Sequence, residues 1–164
     1  MAKKKRTAGG TPATAALDAD GAPYRALPYE HDPSAESYGL EAAQALGVDP
    51  ARVFKTLLVK GESTLLVGIV PVSGALDLKT LAAAAGVKKV AMAGAQEAER
   101  STGYVLGGIS PIGQRKALAT YLDASADNFE TILVSGGKRG FDLELAPRDL
   151  LRLTGGSLAP IARA

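Results

Sequence analysis

VFKTLLVKGESTLLVGIV, residues 53–70, sets the architecture. Two apolar runs, Val53 to Val59 and Thr64 to Val70, flank Gly61-Glu62-Ser63, and the pattern predicts two strands joined as a hairpin. Alternation places Val53, Lys55, Leu57 and Val59 on one face of the first strand. Lys55 is the odd residue there, a cation among apolar neighbours. Either it snorkels from the strand end or guards an edge, or it projects into a partly dry pocket. In a pocket it would polarise a carbonyl or hold a phosphate or hydroxyl.

Outward from the hairpin, turn and cap signals divide the rest of the chain. Thr11-Pro12 opens a helix that Gly21 stops. Tyr24 to Tyr29 reads as a short strand, placed at a sheet edge by Pro28, and His31-Asp32-Pro33-Ser34 as a turn. Ser37 to Leu46 is helical up to Gly47, and Asp77 caps a helix through Ala85. Lys89 to Met92 predicts a strand, Gln96 to Arg100 a short helix and Ala117 to Leu122 another strand. Thr131 to Val134 and Phe141 to Leu145 read as a second hairpin around Ser135-Gly136-Gly137-Lys138-Arg139-Gly140. Pro147 begins a last helix that ends before Gly155. Hairpins mixed with helices predict an α+β fold with a mixed sheet. One domain over residues 11–164 follows a basic, disordered tail at residues 1–10.

Composition narrows the chemistry. The 164 residues suffice for one domain with a core. No apolar run approaches the ~20 residues of a membrane helix. No apolar segment of a secretory signal follows Lys3-Lys4-Lys5-Arg6, so the cytoplasm is the expected location. The chain has no cysteine and one histidine, His31. Thiolate nucleophiles, Cys-ligated zinc and multi-histidine metal sites are thereby excluded. The net charge is +2, yet without the four basic tail residues 15 basic residues face 17 acidic ones. Such a body does not coat nucleic acid broadly, and any phosphate contact is local or comes from the tail.

Arg100-Ser101-Thr102-Gly103-Tyr104-Val105-Leu106-Gly107-Gly108-Ile109-Ser110-Pro111-Ile112-Gly113-Gln114 is too glycine-rich for a strand and too apolar for a solvated linker. It reads either as a tight turn at a sheet edge or as a loop whose N–H groups approach an anion or a developing oxyanion. The loop at residues 135–140 adds Lys138 and Arg139 but lacks phosphate-loop spacing. It is either a solvated hairpin turn or a phosphate contact. Asp142 follows, suited to a ligand amine or hydroxyl, or to a nearby cation. Tyr29 is placed to stack on a base or close a pocket.

Taken together and in order, these segments resemble the YbaK/EbsC family of free-standing aminoacyl-tRNA editing proteins. They are Tyr29-Glu30-His31-Asp32, Phe54-Lys55-Thr56-Leu57-Leu58-Val59, Leu76-Asp77-Leu78-Lys79, Arg100 through Gln114, and Ser135 through Gly140. That family is related to the editing domain of bacterial prolyl-tRNA synthetase. The resemblance runs from Thr11 to the C-terminus. It implies a curved, barrel-like mixed sheet flanked by helices, and a cytoplasmic deacylase for cysteine mischarged on tRNA(Pro). Prolyl-tRNA synthetase is the implied partner, with no cofactor, metal or membrane. It implies that Lys55 holds the aminoacyl end, and that Gly107 and Gly108 contact the scissile ester. Tyr29, Ser101, Thr102, Ile109, Ser110, Pro111, Ser135, Lys138 and Asp142 are the implied substrate contacts. In the family, the substrate's own thiol attacks its ester and leaves as a cyclic thiolactone. Two other readings stay open. One is a deacylase of the same fold acting on another aminoacyl-tRNA, such as alanine's. The other is a non-catalytic module that binds a tRNA end or nucleotide.

Overall fold

A computed structural model of the chain describes residues 10–164. Apart from Gly10, the expected tail lies outside the described residues. In chain order the elements are α1 (Pro12–Asp20), β1 (Arg25–Pro28), α2 (Tyr38–Leu46), β2 (Phe54–Lys60), β3 (Leu65–Pro71), β4 (Ala75–Leu76), α3 (Leu78–Ala85), β5 (Ala91–Met92), α4 (Ala95–Thr102), β6 (Ala119–Asp123), β7 (Ile132–Lys138), β8 (Phe141–Leu145), α5 (Pro147–Thr154), β9 (Ser157–Ala159) and β10 (Ala162–Arg163).

Short-range chemistry fixes most boundaries. The Thr11 hydroxyl accepts from Thr14 N–H, Ser37 from Leu40 N–H, and Asp77 from Lys79 and Thr80 N–H. Each satisfies N–H groups that the first helical turn leaves without a partner. The β2–β3 hairpin closes with Gly61 N–H donating to Thr64 O at 2.8 Å. Its register sets Lys55 opposite Val70 and Leu57 opposite Gly68.

The strands form a five-stranded sheet in the order β5-β2-β3-β6-β9, a three-stranded sheet β1-β8-β7 and a ribbon β10-β4. The large sheet is mixed, because β3–β6 and β6–β9 are parallel while β2–β3 is antiparallel. The single barrel-like sheet expected from the sequence is thus divided, and it does not close. A lone parallel bridge, Val53 to Leu133, joins the two larger sheets. The remaining edges are the two-residue β5, the three-residue β9, and β1, whose Pro28 lacks an N–H.

Two departures from the sequence reading bear on the site, beside shifts of a residue or two at other strand ends. The α4 helix runs on through Ser101 and Thr102, since the Thr102 hydroxyl donates back to Ala98 O at 2.8 Å and Gly103 then caps the helix. The segment 135–138, read as a loop, belongs to β7, whose pairing shifts between Ser135 and Lys138 at a bulge. The glycines there let Phe141 approach: a Cβ on Gly136 would lie 2.4 Å from its ring. β4, β9 and β10 were not foreseen, being only two or three residues long. The Asp123 carboxylate secures the C-terminal pair, accepting from Ile161 and Ala162 N–H at 2.9 Å each.

The main core, with Leu17, Phe54, Ile69, Leu122, Ile132 and Leu143, collects residues of both larger sheets. Burying each such side chain contributes about 1.5–3 kcal/mol. The opposite face of β2 divides between two smaller clusters. Val53 packs with Ala42 and Ala43 of α2, while Leu57 and Val59 pack with Leu81 and Ala82 of α3. Lys55 falls between these clusters, and there a pocket opens.

Candidate functional site

Register places the polar groups of the pocket. Val53 bridges Leu133 in parallel, so two residues on, Lys55 and Ser135 follow on the same faces. Ser135 pairs across the β7–β8 ladder with Asp142, which pairs across β1–β8 with Leu27. Tyr29 lies two residues past Leu27, and its N–H donates to Gly140 O at 2.9 Å. Lys55, Ser135 and Asp142, from three strands, and Tyr29, just past the end of β1, line one cavity of about 350 Å³. The first turn of α2 walls one side with Tyr38, Gly39 and Ala42. The glycine-rich loop supplies Leu106, Gly107 and Ile109.

The charges in this cavity are not neutralised internally. Among the described residues, neither the Lys55 ammonium nor the Asp142 carboxyl makes a hydrogen bond or an ion pair, and no 4 Å contact joins them. Burial pushes the Asp142 carboxyl up to about 7. Burial, then the carboxylates of Asp142 and Glu41, push the Tyr29 phenol up to about 12, so it is a neutral donor at pH 7. The Thr56 hydroxyl is buried at the wall without a hydrogen-bond partner. The Ser135 hydroxyl oxygen accepts from Gly137 N–H at 3.2 Å, leaving its proton to donate.

The loop above the pocket is fastened at several points. Tyr104 OH donates to Ile112 O at 2.7 Å, and Leu106 N–H donates to a Glu99 carboxylate oxygen at 3.0 Å. Gly108 N–H donates to Val105 O at 2.9 Å, so it is engaged inside the loop. Gly107 and Ile109 N–H donate to no described residue. On this geometry the donors available to an oxyanion are Gly107 and Ile109 rather than Gly108. Gly108 instead lets the loop lie against β7, where a Cβ would stand 2.7 Å from Lys138 Cα.

Six of the residues singled out in the sequence therefore meet at the pocket: Tyr29, Lys55, Gly107, Ile109, Ser135 and Asp142. The others do not line it. Ser101 and Thr102 are buried in α4. Ser110 is fully buried, its hydroxyl accepting from Ile112 N–H at 3.2 Å, and Pro111 is buried beside it. Lys138 is exposed, its ammonium 5.4 Å from the Phe141 ring centre. His31 is held outside by Glu41, with Nδ1 2.9 Å from Oε1. Sequence reasoning passed over Tyr38 and Thr56. Tyr38 begins a helix away from its buried stripe, and Thr56 alternates onto the face assigned to the core.

Burial of Asp142 carries a stability cost with a defined sign. Its folded-state pKa of about 7 lies above the ordinary 3.8. Between those values the folded chain holds a proton that the unfolded chain has released. Stability therefore falls as pH rises through this window and stays lowered above about 7. Asp142→Asn removes the effect. Its melting temperature relative to wild type should rise by at least ~2–4 °C between pH 5 and pH 8, equivalent to about 1 kcal/mol. Thermal melts of both proteins at the two pH values test this, and parallel curves would disprove it.

The family model for the aminoacyl-tRNA editing domain matches residues 32–153. An Enterococcus faecalis protein, EbsC, is 43% identical over 165 residues, covering 98% of each chain. Its name assigns it provisionally to Cys-tRNA(Pro)/Cys-tRNA(Cys) deacylation. The uncharacterised Bacillus subtilis protein YwhH is 32% identical over 111 residues, covering 67% of this chain and 70% of its own. A crystal structure assigned provisionally to a trans-editing enzyme for prolyl-tRNA synthetase superposes with a TM-score of 0.78 at 27% identity. It covers 93% of this chain and 96% of its own.

Proposed function

We propose a function from one premise: the chain belongs to the aminoacyl-tRNA editing domain family. It is a deacylase that clears cysteine mischarged on tRNA(Pro). The observation that carries this reading is a cation and a carboxyl, Lys55 and Asp142, neither bonded to a described residue, in one partly apolar cavity also lined by Gly107 and Ile109, whose N–H groups donate to no described residue. An aminoacyl ester supplies the complement of each. Its α-ammonium suits the Asp142 carboxylate. Its ester end suits the Lys55 cation, and its carbonyl oxygen suits the Gly107 and Ile109 N–H donors. Ser135, Tyr29 and Thr56 add neutral donors around it.

The chain brings no thiol, and its one histidine is bonded to Glu41 outside the cavity. In keeping with the family resemblance, we assign the nucleophile to the substrate. The cysteine sulfur attacks its own ester carbonyl; a C–S bond forms and the C–O bond to the ribose breaks. The thiol proton goes to the departing ribose oxygen, leaving free tRNA and a cyclic thiolactone. The protein contributes orientation and charge stabilisation. Holding an intramolecular nucleophile near its target supplies roughly 7–11 kcal/mol of a barrier, and one oxyanion donor about 3 kcal/mol.

The body charge away from the tail suits a protein that does not grip the tRNA alone. We place it in the cytoplasm beside prolyl-tRNA synthetase, which would supply most of the tRNA contact. Among the described residues no helix is long and apolar enough to cross a membrane. The test is amino-acid release from Cys-tRNA(Pro), Ala-tRNA(Pro) and Pro-tRNA(Pro), with and without the synthetase. Loss of cysteine alone is expected. Loss of alanine instead would move the substrate, and no release from any of the three would leave a binding module.

A further inference from the structure

Three residues lining the pocket, Tyr38, Leu106 and Gly107, are tied together at its edge by a contact that the reading above does not use. Arg139 sits at the β7–β8 turn, Tyr38 at the start of α2, and Leu106-Gly107 in the glycine-rich loop. These three segments are distant in sequence and meet at one point. Arg139 Nε–H donates to Leu106 O at 2.8 Å. The same guanidinium lies over the Tyr38 ring, its carbon 5.1 Å from the ring centre. Gly107 lies beneath this pair with no room to spare: a Cβ there would stand 2.8 Å from the Tyr38 ring and 2.9 Å from Arg139 Nε.

We propose that Arg139 is a positioning residue for deacylation, clamping Leu106-Gly107 so that the unengaged N–H groups of Gly107 and Ile109, both at the cavity wall, are held in a fixed position for the ester. The inference rests on the deacylase reading. Its physical basis is that an oxyanion donor works only if it is held before charge develops. The loop is fastened on its outer side by Glu99 and Val105. From the β7–β8 turn the Arg139 side chain bonds the loop backbone at the carbonyl preceding Gly107. Arginine suits this double task, since its planar guanidinium stacks on an aromatic face while one edge donates in-plane. A lysine would keep the charge but lose both the fixed donor direction and the planar stack.

A contrasting role is that exposed Arg139 merely attracts RNA phosphate. The two roles separate in kinetics. A clamp acts on the chemical step, so Arg139→Ala should lower kcat by roughly 10- to 100-fold with KM little changed. Arg139→Lys should fall nearly as far. A phosphate contact would instead raise KM, leave kcat, weaken the salt dependence and be largely preserved by lysine. The exposed Arg148 on α5, as Arg148→Ala, controls for loss of a surface cation.

Hydrogen–deuterium exchange on the same proteins gives an arm independent of activity. Arg139→Ala should accelerate exchange in the 105–109 peptide through its bonded amides, Leu106 and Gly108 N–H, while α5 and the β2–β3 hairpin keep their protection. A KM-only effect, full activity in Arg139→Lys, or unchanged exchange at 105–109 would overturn the proposal. A wild-type protein inactive on every aminoacyl-tRNA would overturn the deacylase reading instead, with the exchange arm alone deciding whether the clamp exists.

Discussion

Lys55→Ala is expected to lower kcat/KM for Cys-tRNA(Pro) by at least roughly 10²–10³-fold, about 3–4 kcal/mol of transition-state stabilisation. The fold should be untouched. Lys55 is half-buried on a strand whose alternate residues, Phe54 and Leu58, carry the packing into the main core. Its ammonium makes no hydrogen bond or ion pair among the described residues, so truncation leaves no partner stranded. Removing an unpaired cation from a partly apolar site is neutral to mildly stabilising, and the melting temperature should not fall. Chemistry is affected because Lys55 is the cation among the residues lining the cavity. As sulfur attacks, negative charge gathers on the ester carbonyl oxygen and then on the departing ribose oxygen. Without Lys55 that charge would rise in a cavity whose other ionisable lining residues, Glu36, Asp142, Tyr29 and Tyr38, are all acids. Single-turnover release of labelled cysteine, with a thermal melt of the same preparation, decides the matter. Retention of most activity would remove Lys55 from the mechanism. Lost activity with a collapsed melting transition would make it a structural residue.

The legible features share a physical property: they announce themselves locally. Asp77, Ser37 and Thr11 cap helices by reaching two or three residues ahead, and Pro28 excludes a central strand position by lacking an N–H. Lys55 stands out because alternation sets a charge on an apolar face. Pairing across distance is different. That β6 lies parallel to β3, or that β9 extends the sheet beyond β6, depends on contacts no local pattern encodes. The division of the expected single sheet has the same origin. Val53 and Leu133 make one bridge and no more, and that depends on how both sheets twist around Phe54, Ile132 and Leu143.

The site was legible where a residue was anomalous and obscure where it was ordinary. Gly107 and Asp142 break their surroundings. Tyr38 and Thr56 do not, since a tyrosine in a first helical turn and a threonine in a strand are unremarkable. Ser101 and Thr102 were misplaced by a helix boundary. Glycine-rich sequence suggested the loop begins at Arg100, but the Thr102 back-bond to Ala98 carries α4 two residues further and takes both hydroxyls from the pocket. Arg139 was visible as one of two adjacent cations. Only the third dimension separates Lys138, lying over Phe141, from Arg139, lying over Tyr38.

Gly107→Ala should cripple turnover, and a second glycine makes the cause measurable. Gly107 has φ +83°, where an L-residue is strained by roughly 1–2 kcal/mol. Gly21, which caps α1, has the same φ of 83°, yet a Cβ there meets nothing within 4 Å. Gly21→Ala therefore carries the backbone strain alone and should cost stability without affecting deacylation. Gly107→Ala carries that strain plus a Cβ driven to 2.8 Å from the Tyr38 ring and 2.9 Å from Arg139 Nε. Tyr38 and Arg139 are side chains and can yield, but doing so releases the Arg139 bond to Leu106 O and lets the loop shift. A displacement of about 1 Å at the reacting centre is enough for roughly 10²-fold in rate. Gly107→Ala should thus lose about 10²-fold in kcat, and Gly107→Val, with two further methyl groups to place, still more. Gly107→Ala should melt within a few degrees of Gly21→Ala, because the added collisions fall on exposed side chains, whereas Gly107→Val adds the strain of a β-branched residue at positive φ and should melt lower. Equal activity in Gly107→Ala and Gly21→Ala would mean the loop tolerates the shift, and that its N–H groups do not set the rate. A Gly107→Ala melting temperature far below that of Gly21→Ala would show that the loop supports the fold, and the kinetic loss could then not be assigned to the oxyanion donors.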